Sequence, residues 1–173
     1  MGVEIFSKEL NMNLKVLNVY EPYADRTPFW ESLLNQSIMQ SKDIILRCDL
    51  NFTLGATQIC GPKAILDPLS DLFVNLQEGK GLLDIAPTKL KPSWRKKRLG
   101  EDCIAKMLGY FLVSEELTEG PLLMRQSVDS RRESNHSSIL LELNGKGSKP
   151  TSPFQLKVEW LKDESFVTLL QYL

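Results

Sequence analysis

Asp43-Ile44-Ile45-Leu46-Arg47-Cys48 is a short apolar run typical of a buried strand, and it leads directly into Asp49-Leu50-Asn51. Since side chains alternate along a strand, Asp49 and Asn51 are predicted to point the same way at the carboxyl end of this strand. A carboxylate beside an amide can hold a water or a phosphoryl oxygen there. The same two residue types are also typical of a turn after a strand, because they form local hydrogen bonds.

Further elements are predicted on both sides of this strand. Residues 14–20 alternate apolar and polar side chains and predict a strand, with residues 3–6 as its hairpin partner. Apolar residues at helical spacing predict a helix over 27–39, and Asp67 followed by Pro68 predicts the start of a second helix. Other short strands are predicted over residues 82–85, 107–113, 122–128 and 138–143.

Composition restricts the class of protein. The 173 residues are enough for one domain, and 42% hydrophobic with 25% charged residues is typical of a folded soluble protein. The 21 basic and 22 acidic side chains nearly cancel, so affinity for nucleic acid would have to come from a local cluster. Three widely spaced cysteines and a single histidine argue against a disulfide framework and a structural zinc site. Because the sequence shows no targeting signal or membrane-spanning run, we expect an intracellular protein, cytoplasmic or nuclear.

Residues 89–98 form a basic segment with six cations and one indole in ten residues. The cations are Lys89, Lys91, Arg95, Lys96, Lys97 and Arg98. Such a segment can bind phosphates electrostatically and stack a base on Trp94. The alternative is a solvated loop whose tryptophan is buried.

His136 is the only histidine, and it lies in Ser134-Asn135-His136-Ser137-Ser138 just before a predicted strand. A catalytic histidine needs a carboxylate that fixes its tautomer and stabilises its charged form, and Asn135 cannot supply that charge. On these residues alone, a loop histidine without a catalytic role remains the alternative.

Several motifs occur in the order of one known family. The strings are LNVYEPY, IILRCDLNF, DIAPTKLKPSWRKKR, MLGYFLVSEEL and SNHSSILLEL. Together they resemble the endonuclease/exonuclease/phosphatase superfamily, and most closely the endonuclease domains of plant LINE-type (non-LTR) retrotransposons, from about Leu14 to Leu170. The resemblance implies an α/β fold, a two-sheet β-sandwich with outer helices, and Mg²⁺-dependent hydrolysis of phosphodiester bonds in DNA.

The resemblance also implies roles for individual residues. Tyr20 corresponds to a strand-end tyrosine that hydrogen-bonds near the phosphate, and His136 to the histidine that binds the scissile phosphate. Asp49 corresponds to the aspartate that orients or deprotonates the attacking water, and Asn51 to the asparagine that holds the phosphate in the transition state. Ser93-Trp94 matches the family's Thr-Trp pair near the substrate groove. The predicted substrate-binding residues are Trp94, Arg95, Lys96, Lys97 and Arg98.

This sequence departs from the family pattern at three positions. Gly109 replaces the aspartate that orients the histidine, Asn135 replaces a second carboxylate near the metal, and Cys48 replaces a glycine. In addition, only 19 residues precede Tyr20, so we expect the early segments with the metal-binding glutamate, and with them the N-terminal part of the fold, to be missing. No metal ligand is therefore assigned, Mg²⁺ is not expected to bind tightly, and the chain is expected to be catalytically inactive.

These observations predict a truncated domain over residues 1–144, a Gly/Pro/Ser linker over 145–153 and a helical tail over 154–173. The predicted function is that of a remnant of a retroelement DNA endonuclease. The alternatives are a non-specific nucleic-acid-binding module that uses residues 89–98, and a fragment that needs a partner to fold. Expected partners are DNA, bound weakly, and a second copy of the chain, paired through open edges of the strands at 14–20 and 43–48. No membrane partner is expected.

Overall fold

A computed structural model describes residues 2–61, 65–96, 103–120, 122–129 and 134–145. In these ranges the chain forms the strands β1 (Gly2–Ser7), β2 (Met12–Tyr20), β3 (Ile44–Asp49), β4 (Ile59–Cys60), β5 (Leu82–Asp84), β6 (Trp94–Arg95), β7 (Ala105–Lys106), β8 (Gly109–Ser114), β9 (Leu122–Val128) and β10 (Ile139–Gly145). It also forms the helices α1 (Arg26–Leu34), α2 (Leu69–Glu78) and α3 (Glu115–Glu119), with 3-10 turns at Ser37–Gln40 and Ala56–Gln58. The predicted tail, and the predicted linker apart from Gly145, lie outside the described residues.

A five-stranded sheet forms the centre of the fold, with the strand order β1-β2-β3-β8-β5. β2 and β3 are parallel, and the other neighbouring strands are antiparallel. In this register Tyr20 lies beside Asp49, and Asp49 lies beside Gly109 on its other neighbour. Because β2 and β3 run in the same direction, Tyr20 and Asp49 end their strands at the same edge of the sheet.

Helices α1 and α2 pack against one face of this sheet. Trp30 of α1 contacts Phe73 of α2 edge-on, with ring centroids 4.7 Å apart, and Phe73 contacts Phe52 in the same way at 5.6 Å. All three rings are almost fully buried. Burial of a side chain of this size stabilises the fold by about 1.5–3 kcal/mol, so the aromatic cluster fixes both helices against the sheet.

The β9–β10 hairpin packs against the opposite face. Ile45, Phe111 and Val113 of the central sheet are buried under it, together with alternate residues of the hairpin itself. The short strands β4, β7 and β6 form a further three-stranded sheet, which carries Trp94. The architecture is therefore α/β, with sheet packed on sheet and helices outside, and this confirms the predicted fold class.

Most of the predicted elements are present, with one helix shorter than expected. The helix predicted over 27–39 ends at Leu34, because Gln36 is extended (φ −68°, ψ 145°) and interrupts the helical ladder before the 3-10 turn. The second helix begins as predicted: the Asp67 carboxylate accepts a hydrogen bond from the Leu69 amide at 2.9 Å. None of the helices in the described ranges is long and apolar enough to cross a bilayer.

The expectation that the strands at 14–20 and 43–48 keep open edges is wrong. β1 pairs with β2 from Gly2–Leu17 to Ser7–Met12, and β3 lies between β2 and β8, so both strands are interior. The exposed edge belongs to β1 instead. Its apolar side chains Val3, Ile5 and Phe6 are 48%, 46% and 56% exposed.

Candidate functional site

The carboxyl edge of β2 and β3 brings the first predicted site residues together. Asp49 ends β3 and is only 5% exposed, whereas Tyr20 at the end of β2 is 55% exposed. The Tyr20 hydroxyl lies 3.3 Å from the hydroxyl of Tyr23. The edge therefore combines a sheltered carboxylate with exposed phenols.

Asn51 reaches this edge through a turn and not along a continued strand. Its backbone is left-handed (φ 55°), a conformation that asparagine tolerates better than most residues. Its backbone amide donates to the Asp49 carboxylate at 3.3 Å. The prediction that Asp49 and Asn51 share a face by strand alternation is wrong, since β3 ends at Asp49. The local hydrogen bond is the one expected of a turn, and it joins the Asn51 backbone to the Asp49 side chain.

His136 enters the site from a distant part of the sequence. It forms an isolated antiparallel bridge with Trp94 of β6, and the Ser137 amide donates to the Ser93 carbonyl at 2.7 Å. The Arg95 amide donates to the Asn135 carbonyl at 2.9 Å. These contacts place Nδ1 of the half-exposed His136 imidazole 3.6 Å from the Asp49 carboxylate.

Ser93 and Gly109 connect the two halves of the site. The buried Ser93 hydroxyl accepts hydrogen bonds from the amides of Leu108 and Gly109, at 2.8 and 3.0 Å. Gly109, the position at which the resemblance implies an aspartate, pairs with Asp49. A Cβ atom there would lie 3.0 Å from Cδ1 of Ile139, so the side chain of Ile139 occupies the space that a larger residue needs.

Glu21 stabilises the turn at residues 49–51 through hydrogen bonds. The sequence interpretation did not include Glu21 in the site. Its backbone amide donates to the Asp49 carbonyl, and its carbonyl accepts from the Asn51 side chain, both at 2.9 Å. The Glu21 carboxylate is fully buried; it accepts from the Trp30 indole at 2.9 Å and pairs with Arg26 at 3.0 Å. Burial raises the pKa of Glu21, and the Arg26 guanidinium opposes that shift. A glutamate at a strand end with an arginine five residues later was the available signal.

The predicted basic segment is only partly described. Arg95 lies next to the His136 bridge, and the Lys96 amide donates to the Ile104 carbonyl at 2.9 Å. Lys97 and Arg98 fall outside the described residues. Trp94 is partly buried, which lies between the two alternatives of an exposed stacking indole and a buried tryptophan.

The described carboxylates of this site do not form a preassembled cage for a metal ion. Magnesium is usually bound through carboxylate oxygens, and no group of three His, Cys, Asp or Glu side chains that could hold a metal ion occurs in the described part of the chain. The Glu21 carboxylate bonds to Trp30 and Arg26 instead of facing the site. Asp49 is the sheltered carboxylate at this edge, and Mg²⁺ is usually held by one or two carboxylates together with waters and substrate phosphates.

Comparison with solved structures relates this fold to a nuclease. The chain is similar to the endonuclease domain of TRAS1, a telomere-specific non-LTR retrotransposon, with a TM-score of 0.63 and 17% sequence identity. The match covers 86% of this chain and 64% of that one, so the chain spans about two thirds of the solved domain. No family model and no curated protein matches the chain. It has the fold of that endonuclease domain, and this confirms the fold that the sequence motifs imply.

Proposed function

We propose that this chain is a remnant of the DNA endonuclease domain of a non-LTR retrotransposon, which still binds nucleic-acid phosphates but does not hydrolyse them. One observation carries the proposal: Tyr20, Asp49, Asn51 and His136 meet at one edge of an endonuclease-like fold, although His136 is 85 residues from Asn51 in the chain. The similarity to the TRAS1 endonuclease domain supports the fold on which that assignment depends.

The residues present suit phosphate binding. A ring N–H of the His136 imidazole can donate to a phosphate oxygen, and Nδ1 of that ring lies 3.6 Å from the Asp49 carboxylate. The Tyr20 hydroxyl is exposed and can donate to a second oxygen. The turn at Asn51 is fixed by its bonds to Glu21 and Asp49, so these groups keep their positions before a ligand arrives.

The expected loss of hydrolysis follows from the replacement of two carboxylates. Gly109 and Asn135 occupy positions where the family resemblance implies aspartates, and Asp49 is left both to face His136 and to orient a water. The described residues contain no group of three metal-ligating side chains, so we infer that the negative charge that develops on the phosphate is not fully neutralised. Such a loss removes several kcal/mol of transition-state stabilisation.

Plasmid nicking tests the hydrolytic half of the proposal. Supercoiled plasmid incubated with the full chain and Mg²⁺ should relax no faster than with the Asp49→Ala variant. The double variant Gly109→Asp/Asn135→Asp should also stay inactive, because Ile139 occupies the space that a larger side chain at position 109 needs. Mg²⁺-dependent relaxation that disappears in Asp49→Ala would show that the chain is an active endonuclease.

Fluorescence anisotropy with a labelled DNA duplex tests the binding half. We expect weak binding that falls steeply as salt rises, because phosphate contacts release counterions. Charge reversal of the six cations of residues 89–98 should abolish it. Wild-type binding that does not change with salt would show that these cations are only solvated.

A further inference from the structure

A concave surface lies between β9 and the segment that precedes β6. None of the residues that line it belongs to the Asp49 edge. It is a cleft of about 300 Å³. Its lining is mostly charged or hydroxyl-bearing and comprises Thr88, Lys89, Lys91, Arg125, Ser127, Val128 and Glu142. Arg125 belongs to β9 and lies 27 residues beyond the end of the basic segment at residue 98. Sequence order therefore gives no reason to group Arg125 with that segment.

Backbone pairing holds the two walls of the cleft together. Pro87 forms a parallel bridge with Gln126, and the Thr88 amide donates to the Gln126 carbonyl at 3.1 Å. Gln126 is fully buried, and its side-chain oxygen accepts from the Phe111 amide at 3.3 Å. The segment that carries Lys89 and Lys91 is therefore anchored along β9, beside Arg125.

The charge of the cleft is positive. Lys89, Lys91 and Arg125 face it with Glu142 as the only acid in the lining, and Glu142 stands opposite Arg125 in the β9–β10 register. None of the three cations forms a hydrogen bond or ion pair with another described residue. A concave site with an excess of cations attracts an anion, and the hydroxyls of Thr88 and Ser127 offer additional donors.

We propose that this cleft binds a backbone phosphate of the same nucleic acid that is bound at His136, with Arg125 as a contact residue. The inference rests on the proposed function. Trp94, the bridge partner of His136, is five residue steps along the chain from Lys89, and five steps span at most about 17 Å. That distance corresponds to about five nucleotides along one strand of B-DNA, so one short duplex can reach both places.

Binding of a labelled duplex of about 20 base pairs to the full chain, measured by anisotropy at about 50 to 200 mM salt, tests this inference. Arg125→Glu should weaken binding about tenfold at the low salt and reduce the salt slope by about 0.9 for each phosphate contact that is lost. Glu142→Gln should tighten binding about threefold, because it removes the acid of the cleft. Lys8→Glu is the matched control: Lys8 lies between β1 and β2, at the opposite edge of the sheet from Tyr20, and should change binding by less than about twofold.

The outcomes separate this inference from the proposed function. If Arg125→Glu behaves like Lys8→Glu and Glu142→Gln has no effect, while reversal of Arg95 and Lys96 still weakens binding, the cleft is not a phosphate site but the chain remains a nucleic-acid binder. If the wild-type chain does not bind at the low salt, both statements fail. Thermal unfolding of each variant shows whether it is folded, and Arg125 and Glu142 are both exposed, so no loss of fold is expected.

Discussion

Nδ1 of His136 lies 3.6 Å from Oδ2 of Asp49, which is in turn the strand partner of Gly109. The separation is longer than a hydrogen bond, so the two side chains are close neighbours without a direct hydrogen bond. With glycine at the position where the resemblance implies a histidine-orienting aspartate, Asp49 supplies the carboxylate for His136. In the proposed function this edge binds a phosphate, and among the described residues Asp49 is the carboxylate that faces His136.

Gly109→Ala should destabilise the protein by about 1 kcal/mol, because the new Cβ would lie 3.0 Å from Cδ1 of Ile139. Ile139→Val removes that methyl group, so in its background the cost of Gly109→Ala should fall by about 0.5 kcal/mol or more. Urea unfolding of the four proteins measures the coupling. Gly145→Ala is the control, since nothing lies within 4 Å of a Cβ there, and additive effects at 109 and 139 would contradict the steric account.

Much of this site could be predicted from the sequence, because local residue order indicates which strand ends carry polar groups. Tyr20, Asp49 and Asn51 follow strands that short-range alternation identifies, and His136 was included because the order of the motifs implied it. The residue types at 49–51 predict a turn as well as a continued strand, since a left-handed residue and a strand residue look the same in a pattern of polar and apolar letters.

Contacts between distant segments could not be predicted in this way. β4, β6 and β7 have only two residues each and depend on one another for hydrogen bonds, so they leave no periodic signal. Glu21 looks like an ordinary charged residue after a strand, and its burial becomes apparent only when Trp30 and Arg26 fold over it. The edge that stays exposed is β1 rather than β2, because residues 2–7 add a strand that apolar content alone indicates weakly.

Arg26→Ala should destabilise the protein by about 2–4 kcal/mol, because it leaves the buried Glu21 carboxylate without its cation. Glu21→Gln in the same background should recover part of that loss, since the neutral amide removes the buried charge and keeps an acceptor for the Trp30 indole. A double-mutant cycle by urea unfolding measures this coupling, with exposed Arg125→Ala as the control at less than about 0.5 kcal/mol. Equal costs for Arg26→Ala with and without Glu21→Gln would show that the pair is not coupled.

The β1 edge should promote self-association. β1 pairs with β2 on one side only in the described part of the chain, and its exposed Val3 and Ile5 lie on one face of the strand. Ile5→Lys should shift the sedimentation profile at high protein concentration towards the monomer, because a charge on an edge strand opposes pairing. Ile65→Lys, at a 77% exposed position outside the strands, should not. A wild-type chain that sediments as a monomer at every concentration would contradict this prediction.

Asp84→Asn should stabilise the protein at neutral pH, and the gain should disappear in acid. Burial raises the pKa of Asp84 from 3.8 to about 6, and one of its carboxylate oxygens is buried without a hydrogen-bond partner among the described residues. Between those values the folded state binds more protons than the unfolded state, so Asp84 makes stability fall as pH rises from about 4 to 6. Urea unfolding should therefore show a gain of about 2 kcal/mol for Asp84→Asn at pH 7, shrinking towards zero near pH 4. A difference between the two proteins that stays constant across this range would mean that the Asp84 charge is solvated in the folded state.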